Sequence, residues 1–595
     1  MPTEWCLGII YPLYKNKGSA NDPDNYRGIT LLSCTSKLFT SCLNKRLICY
    51  VDDHILGEEQ AGFREGYSTL DHIFVLQAVI ELYQSVNKRV YCAFIDYKKK
   101  PFDSLNRSLL WQKLLLHGIN GKVINIVSNM YENAKSCVKK DNMMSDYFSC
   151  NVGVRQGDNL SPLLFALFIN DFKEYICNAY GGLNISDTCY PSLNNENVVL
   201  LKLFVLLYAD DTIILAETHH ALQRGLDAVH KYCKEYDLTV NISKTKIIVF
   251  SRGKVRKFPV FKYGNDTIEV VSDYVYLGIK INYNNIFPKA MRKQLDQARK
   301  AQFALLVRAR KLDLPIDIQC DLFEKMIVPI LLYGCEVWGI YPIEMIEIFF
   351  RKFFKKLLKL RSSTPNCMTY GEVGKFPLRV TVDKYIISYW LRILNKKQST
   401  LTFIVYQIML NLHINNVYKA QWICKIKSIL DNCGLSYIWD NQEVIDIQQC
   451  KKIIHQQIED QALQNWYTDI TRSSMCSTYR ILKKQFIFEK YLLMTNYRER
   501  TSLTRFRCAN SKLPVYNQIY TYETDKCTLC DMNVLGDEYH YVLQCPYFRQ
   551  SRIKYLKPYY VRMPNNMKFE QLFSTTNKTI LTRLSKFVKI ILQYF

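Results

Sequence analysis

The stretch LLYADDTIILA, residues 206–216, constrains this chain more than any other. Two adjacent aspartates, Asp210 and Asp211, stand between two apolar runs that read as strands, most simply as the two arms of a hairpin. A carboxylate in an apolar setting is costly unless a metal, a cation or water compensates it. A third carboxylate, Asp96, ends another strand-like run, VYCAFID. If these strands share one sheet, three carboxylates converge on one spot. They then repel one another unless a hard divalent cation neutralises them. Two such ions about 3.5–4 Å apart are the usual device for in-line displacement at phosphorus. The three aspartates are therefore expected to hold Mg2+ or Mn2+.

The rest of the composition fits a phosphate-bearing partner. The chain has 595 residues and a formal net charge of +25. That length implies several domains, and that charge a polyanion, with nucleic acid ahead of an acidic membrane surface. The start, MPTEWCLGIIYPLYKNKG, lacks the pattern of a signal peptide and reads as a strand already inside a domain. The longest apolar runs, VVLLKLFVLL and MIVPILLYG, are too short to cross a bilayer, so no membrane partner is expected. The 21 cysteines are scattered, and reduced buried thiols in an intracellular protein account for nearly all of them.

Elements alternate up to about residue 285. A helix over 68–88 is capped by Ser68, a second helix starts near Ser108, and a third starts with Ser161 as cap and Pro162 at the first helical position. Beyond 285 the pattern turns helical. One apolar stripe takes in Met291, Leu295, Ala298, Leu305, Ala309 and Leu312, and basic residues fill much of the other face. Arg351, Lys352, Lys355, Lys356 and Lys359 repeat that design. A single basic face is ordinarily a solvated one. Two in so basic a chain point to a phosphate backbone.

Near the C-terminus, CTLCDMNVLGDEYHYVLQC spaces Cys527, Cys530, His540 and Cys545 as C-x2-C-x9-H-x4-C. A close Cys pair with a His/Cys pair about one helical turn apart can close a tetrahedron around zinc. The alternative is a reduced cysteine cluster.

The chain resembles the reverse transcriptases of non-LTR retrotransposons of the LINE class, specifically jockey-like elements. Seven segments carry the likeness in the family's order. NYRGITLLS and EEQAGFREGYSTLDHI are similar to fingers motifs, and AFIDYKKKPFDSLNRSLLW to the palm motif holding the first aspartate. GVRQGDNLSPLLFALFINDF resembles the motif that supports template and nucleotide, YADD the catalytic hairpin, and LTVNISKTKIIVF with YVYLGIKI the last palm motif and primer grip. HYVLQCPYF resembles the CCHC segment that comes after the polymerase.

The resemblance implies an α+β right-hand polymerase. Fingers and palm would occupy 1–285, with an antiparallel palm sheet, and a helical thumb or connection 286–395. A helical region of unknown role would cover 396–520, a zinc-knuckle-like segment 521–550, and a tail 551–595. It implies an RNA-directed DNA polymerase that takes dNTPs, an RNA template and a DNA primer, the primer being nicked target DNA. Asp96, Asp210 and Asp211 would hold the magnesium ions. Arg27 and either Lys15 or Lys17 would meet the triphosphate, and Gln156 and Gly157 would shape the pocket behind the new base pair. Lys244 or Lys246 would protonate the leaving pyrophosphate. Tyr208, with Leu277 and Gly278 of YVYLGIKI, would meet the primer. A protein of this kind would work in nucleus and cytoplasm.

Two features support the alternative of an impaired, nucleic-acid-binding remnant. The chain begins at the fingers, leaving no room for the endonuclease that such elements usually carry upstream. Furthermore, the family resembles F-[IV]-D-[FY]-x-K-A-F-D, whereas FIDYKKKPFD places Lys100 and Pro101 where the small residue and aromatic belong. Phe102, the aromatic expected to screen the sugar, comes one residue late. The expectation is a displaced gate and impaired synthesis, unless a bulge re-aims the ring.

Overall fold

The computed structural model describes residues 2–16, 18–52, 55–98, 101–185, 201–203, 205–209, 211–253, 258–284, 287–442, 446–516 and 525–595. Two compact units emerge, one of Met1–Lys289 with Lys396–Ile423, the other of Ala290–Asn395 with Cys424–Phe595.

The first unit is α+β. β1 (Leu7–Tyr14) pairs antiparallel with β2 (Tyr26–Leu32) and parallel with a strand at Lys135–Lys140. Helix α1 (Cys34–Val51) comes after β2, and α2 (Thr69–Ser85) begins at a capping box in which Ser68 and Asp71 satisfy each other's backbone amides. β3 (Val90–Ile95) is buried along its whole length because it is central in a second sheet. On one side it pairs antiparallel with β5 (Asp211–Ala216), which pairs in turn with β4 (Val205–Tyr208). On its other side lies β6 (Lys246–Phe250), also antiparallel. Val205–Tyr208 is the last strand on that side of the sheet. A separate hairpin joins β7 (Asp273–Tyr276) to β8 (Ile279–Asn282).

Helix α2 buries both of its apolar flanks, from Ile73 to Tyr83, and so lacks the one-sided pattern of a surface helix. Part of its cover is the returning segment, whose helix Leu401–Ile414 packs on it. There Lys396 Nζ lies 3.0 Å from Asp71 Oδ2, both buried, and the Tyr418 hydroxyl donates to Glu81 at 2.5 Å. Burial pushes the Glu81 carboxyl up.

The described part of the second unit is helical apart from isolated bridges. Its first helix, Pro288–Lys311, buries Met291, Leu295, Ala298, Leu305 and Ala309, while Leu312, expected on the same stripe, is 66% exposed just past its end. Helix Glu344–Leu357 departs from the expected basic face. Lys355 is buried and donates to the carbonyls of Ser362 (2.8 Å) and Thr364 (2.6 Å), and Arg351 pairs with Glu344 at 2.7 Å. The chain folds back after the helix and takes up the Lys355 ammonium that periodicity alone would leave in solvent. Deeper in this unit, Arg507 and Glu372 form a fully buried pair at 3.2 Å, with the Tyr491 hydroxyl donating to the same carboxylate. The third predicted helix start also shifts by one residue. The helix runs Ser161–Phe168, with Leu160 as cap. No described helix is long and apolar enough to cross a membrane.

Candidate active site

The sheet register brings two of the three aspartates together. Thr212 on β5 faces Ile95 on β3, so one step further Asp211 faces Asp96 at the end of the buried strand. Both side chains reach solvent there, which a metal-binding carboxylate requires. Tyr274, stacked on Phe94 with ring centroids 4.6 Å apart, senses both. Burial first, then the charges of Asp96 and Asp211, push its phenol up to about 12. Asp210, the third carboxylate, lies outside the described residues, as do Lys17 and Lys100.

Backbone bonds fix the end of β3. Asp96 N donates to Thr245 Oγ1 at 3.1 Å, Asn241 N donates to Asp96 O at 2.7 Å, and Lys98 N to Thr239 O at 2.7 Å. The segment LTVNISKT is thus laced to the strand that ends in Asp96. It delivers Lys244, whose Nζ stands 3.7 Å from Asp96 Oδ1. Lys246, the other candidate acid, pairs with Glu269 at 2.7 Å. Of the two, Lys244 is the one beside the carboxylates.

The hairpin tip is held from a direction the sequence did not reveal. Ala209 is buried in a left-handed conformation, φ 57°. Leu207 N donates to Glu59 O (2.8 Å) and Ala61 N to Leu207 O (3.0 Å), so the segment EEQAGF runs along β4 as a partial extra strand. The Gln60 side-chain oxygen then accepts from both Gly62 N (2.9 Å) and Ala209 N (3.3 Å). Gln60 is buried, and only that lacing signals its importance. Tyr208, half-buried, turns its ring edge-on to His72 at 6.0 Å. His72 lies 3.3 Å from the Tyr276 hydroxyl, and burial lowers its imidazole to about 4. Leu277 and Gly278 form the two-residue turn of the β7–β8 hairpin with φ 44° and 84°, the geometry that favours Gly at such turns.

The nucleotide-side candidates also gather. Gln156 Nε2 donates to Asp103 Oδ1 at 2.8 Å, beside Phe102, whose ring packs 4.5 Å from Phe165 and 6.3 Å from Phe63. Gln156 O accepts from Thr30 N on β2 at 2.8 Å. Gly157 comes next with φ 121°, where a Cβ would come within 2.4 Å of Thr30 O, so only glycine fits. Buried Arg155 anchors the same loop through the carbonyls of Trp5 (3.0 Å) and Cys6 (2.6 Å). Arg27 stands exposed on β2, opposite Leu13. Lys15 Nζ donates to Asp24 O at 2.6 Å, which ties it into the fingertip loop.

In the second unit Cys527, Cys530, His540 and Cys545 offer ligand atoms that all lie within 4.8 Å of one another. Cys527 and Cys545 sulfurs are 3.9 Å apart, and Cys530 Sγ is 3.4 Å from His540 Nε2. Ligands at about 2.0–2.3 Å from one tetrahedral zinc stand roughly 3.3–3.8 Å apart, so the set fits the ion with little adjustment. Residues 540–544 form one turn of π-helix, spacing His540 and Cys545. Buried Arg552 satisfies carbonyls there, donating to Val542 O at 2.7 Å and Cys545 O at 2.8 Å. Its role was not visible from the C-x2-C-x9-H-x4-C spacing.

Residues 14–281 match the model of the family described as reverse transcriptase (RNA-dependent DNA polymerase). Among curated proteins of Drosophila melanogaster, the chain is 27% identical over 357 residues to the probable RNA-directed DNA polymerase from transposon BS. It is 23% identical over 352 residues to that from transposon X-element, and 23% identical over 353 residues to the RNA-directed DNA polymerase from mobile element jockey. Each match takes in 57% of this chain and 36% of the relative, so the chain spans little more than a third of their length. Residues 14–281 are thus similar to the reverse transcriptase family, and the chain is related to the RNA-directed DNA polymerases of the mobile elements jockey, X-element and BS.

Proposed function

We propose that this chain is the RNA-directed DNA polymerase of a non-LTR retrotransposon, extending a DNA 3′-OH on an RNA template by two-metal nucleotidyl transfer, with nicked target DNA as primer. The observation that carries the reading is the convergence of Asp96 and Asp211 at the open end of β3 and β5. With Asp210 they would hold two Mg2+ or Mn2+ ions, which when bound offset the charge of the reacting phosphates. The side chains have separate tasks around that centre. Arg27 draws in the triphosphate. Gln156 and Gly157 bound the space behind the nascent pair, with Phe102 toward the sugar. Lys244, already beside Asp96, delivers a proton to the departing pyrophosphate. Tyr208 and the turn at Leu277 and Gly278 steady the primer end. Lys15, engaged by Asp24 O, shapes the fingertip, which leaves Lys17 as the other lysine to meet the triphosphate with Arg27. Zinc in the Cys527, Cys530, His540 and Cys545 set would order the C-terminal segment.

The test is primer extension on poly(rA)/oligo(dT) with Mg2+ or Mn2+. The unmodified chain should incorporate dTTP. Asp96→Asn should abolish synthesis while leaving RNA binding within a few-fold, because Asp96 serves the metals and not the phosphate grip. Wild-type extension by Asp96→Asn would end the metal assignment. RNA binding without any synthesis by the unmodified chain would favour the remnant.

A further inference from the structure

We propose that Phe63 is a positioning residue for sugar selection, helping, with Phe165, to hold the Phe102 ring in place. The inference rests on the polymerase reading above, in which Phe102 faces the sugar of the incoming nucleotide. Phe63 is unusual on two counts at once. Its backbone is left-handed, φ 62°, a conformation bulky residues rarely adopt. Its ring is 61% exposed, so burial of that ring does not explain why the conformation is kept.

The strain persists because both neighbours are clamped. On one side, Gly62 N bonds Gln60 Oε1, and a Cβ at Gly62 would lie 2.3 Å from Ala209 N, so the backbone is pressed against the hairpin tip. On the other side, Arg64 Nε lies 2.7 Å from Asp52 Oδ1, and its Nη1 donates to the carbonyls of Gly57 (2.8 Å) and Gln60 (3.1 Å). Between these clamps the Phe63 ring meets Phe102 edge to face, with centroids 6.3 Å apart and planes at 85°.

Phe102 therefore has two aromatic neighbours. Phe165, fully buried, is a fixed wall 4.5 Å away, and Phe63 is a second wall held by the hairpin that carries the carboxylates. Phe63 also lines an open cavity of about 660 Å3 together with Gly157, Asn159 and Pro162, so it stands beside the loop that supports the nascent pair. With the Phe63 ring removed, Phe102 loses one of its two aromatic contacts and turns outward more easily. A sugar bearing a 2′-OH then meets less resistance, while a deoxyribose, which never touched the screen, is little affected.

The experiment is single-nucleotide extension with dNTP and with the matching rNTP on Phe63→Ala, Phe63→Leu, Phe63→Gly and Phe63→Tyr. The quantity read is the ratio of kcat/KM for the two sugars. Alanine, leucine and glycine should each lower the preference for dNTP about tenfold, chiefly through a lower KM for rNTP, and tyrosine should keep it. Glycine relieves the left-handed strain as it removes the ring, so a loss there assigns the effect to the ring. Leucine keeps apolar bulk and provides the reading if alanine proves too unstable to assay. An unchanged ratio in leucine and glycine, even with activity lowered on both sugars, would overturn the inference and leave the polymerase reading standing. Absence of any synthesis by the unmodified chain would overturn both.

Discussion

Gly62 carries no chemistry, yet its replacement should disable the site. An alanine Cβ there would stand 2.3 Å from Ala209 N, 3.1 Å from Ala209 Cα and 3.0 Å from Gln60 Oε1. The closest of these is about 1 Å short of ordinary contact. The obstruction is backbone, and Ala209 is buried in a left-handed turn tied to Gln60, so no flexible side chain can yield. Relief comes only by moving the EEQAGF segment or the hairpin tip by roughly that 1 Å. Overpacking of this kind costs about 1–3 kcal/mol of stability. The effect on chemistry should be larger in proportion, because a displacement near 1 Å costs about 100-fold in rate, or about 2.7 kcal/mol of barrier. Gly62→Ala should therefore bind RNA as the parent does and extend a primer about 100-fold more slowly, with a modest loss in Tm. Gly121→Ala, where a Cβ meets nothing within 4 Å, is the matched control. Parental extension rates in Gly62→Ala would refute the idea that Gln60 and Gly62 set the position of the hairpin.

Three further outcomes are expected. Protein prepared without chelator should carry one zinc by elemental analysis, lost in the Cys527→Ser, Cys530→Ser double variant, with hydrogen exchange rising across 525–552; metal-free parent protein would remove the site. RNA affinity should fall steeply with salt, and charge reversal at the exposed Lys300, Arg308 and Lys311 of the first helix of the second unit should lower the slope by about 2–3, whereas an unchanged slope would mark that face as merely solvated. The His72 imidazole, lowered by burial from 6.5 to about 4, is neutral when folded, so its contribution is full above pH 6.5 and is lost as pH falls toward 4. That amounts to roughly 3 kcal/mol, and denaturant unfolding of His72→Gln should show a shallower acid loss; parallel pH profiles would refute it.

The division between legible and hidden features has a physical basis. Asp96 and Asp211 were legible because an apolar strand ending in a carboxylate contradicts its own pattern, and β3 and β5 do lie side by side. The helix expected over 68–88 was legible from its apolar period and from Ser68 as cap, since both signals are local, and it runs Thr69–Ser85. The choice between Lys244 and Lys246 was not, because it turns on Glu269 capturing Lys246 from a strand more than twenty residues away. Lys355 was misplaced for a related reason. Helical periodicity assigns a face, but the carbonyls of Ser362 and Thr364 come from the turn beyond the helix. Gln60, Arg552 and the return of Lys396–Ile423 to the first unit all depend on partners far along the chain or on backbone carbonyls, which leave no mark in composition or spacing.

The extra residue after Asp96 illustrates how such long-range ties bear on function. Lys98 is pinned by Thr239 O on one side of it, and Phe102 O accepts from Val154 N at 2.6 Å on the other. The departure from the family pattern is thereby bracketed between two fixed points. Pro101 lacks an N–H, which would be costly within a strand, but here it opens the short helix Pro101–Ser104, a position where a helix leaves its first amides unpaired in any case. Beyond the bracket, Phe102 meets Phe165 and Phe63, and Asp103 meets Gln156. Spacing alone suggests a displaced aromatic. Residues 99 and 100 lie outside the described residues, and a bulge there that absorbed the added residue would leave Phe102 at the nucleotide loop, where it meets Phe165 and Phe63.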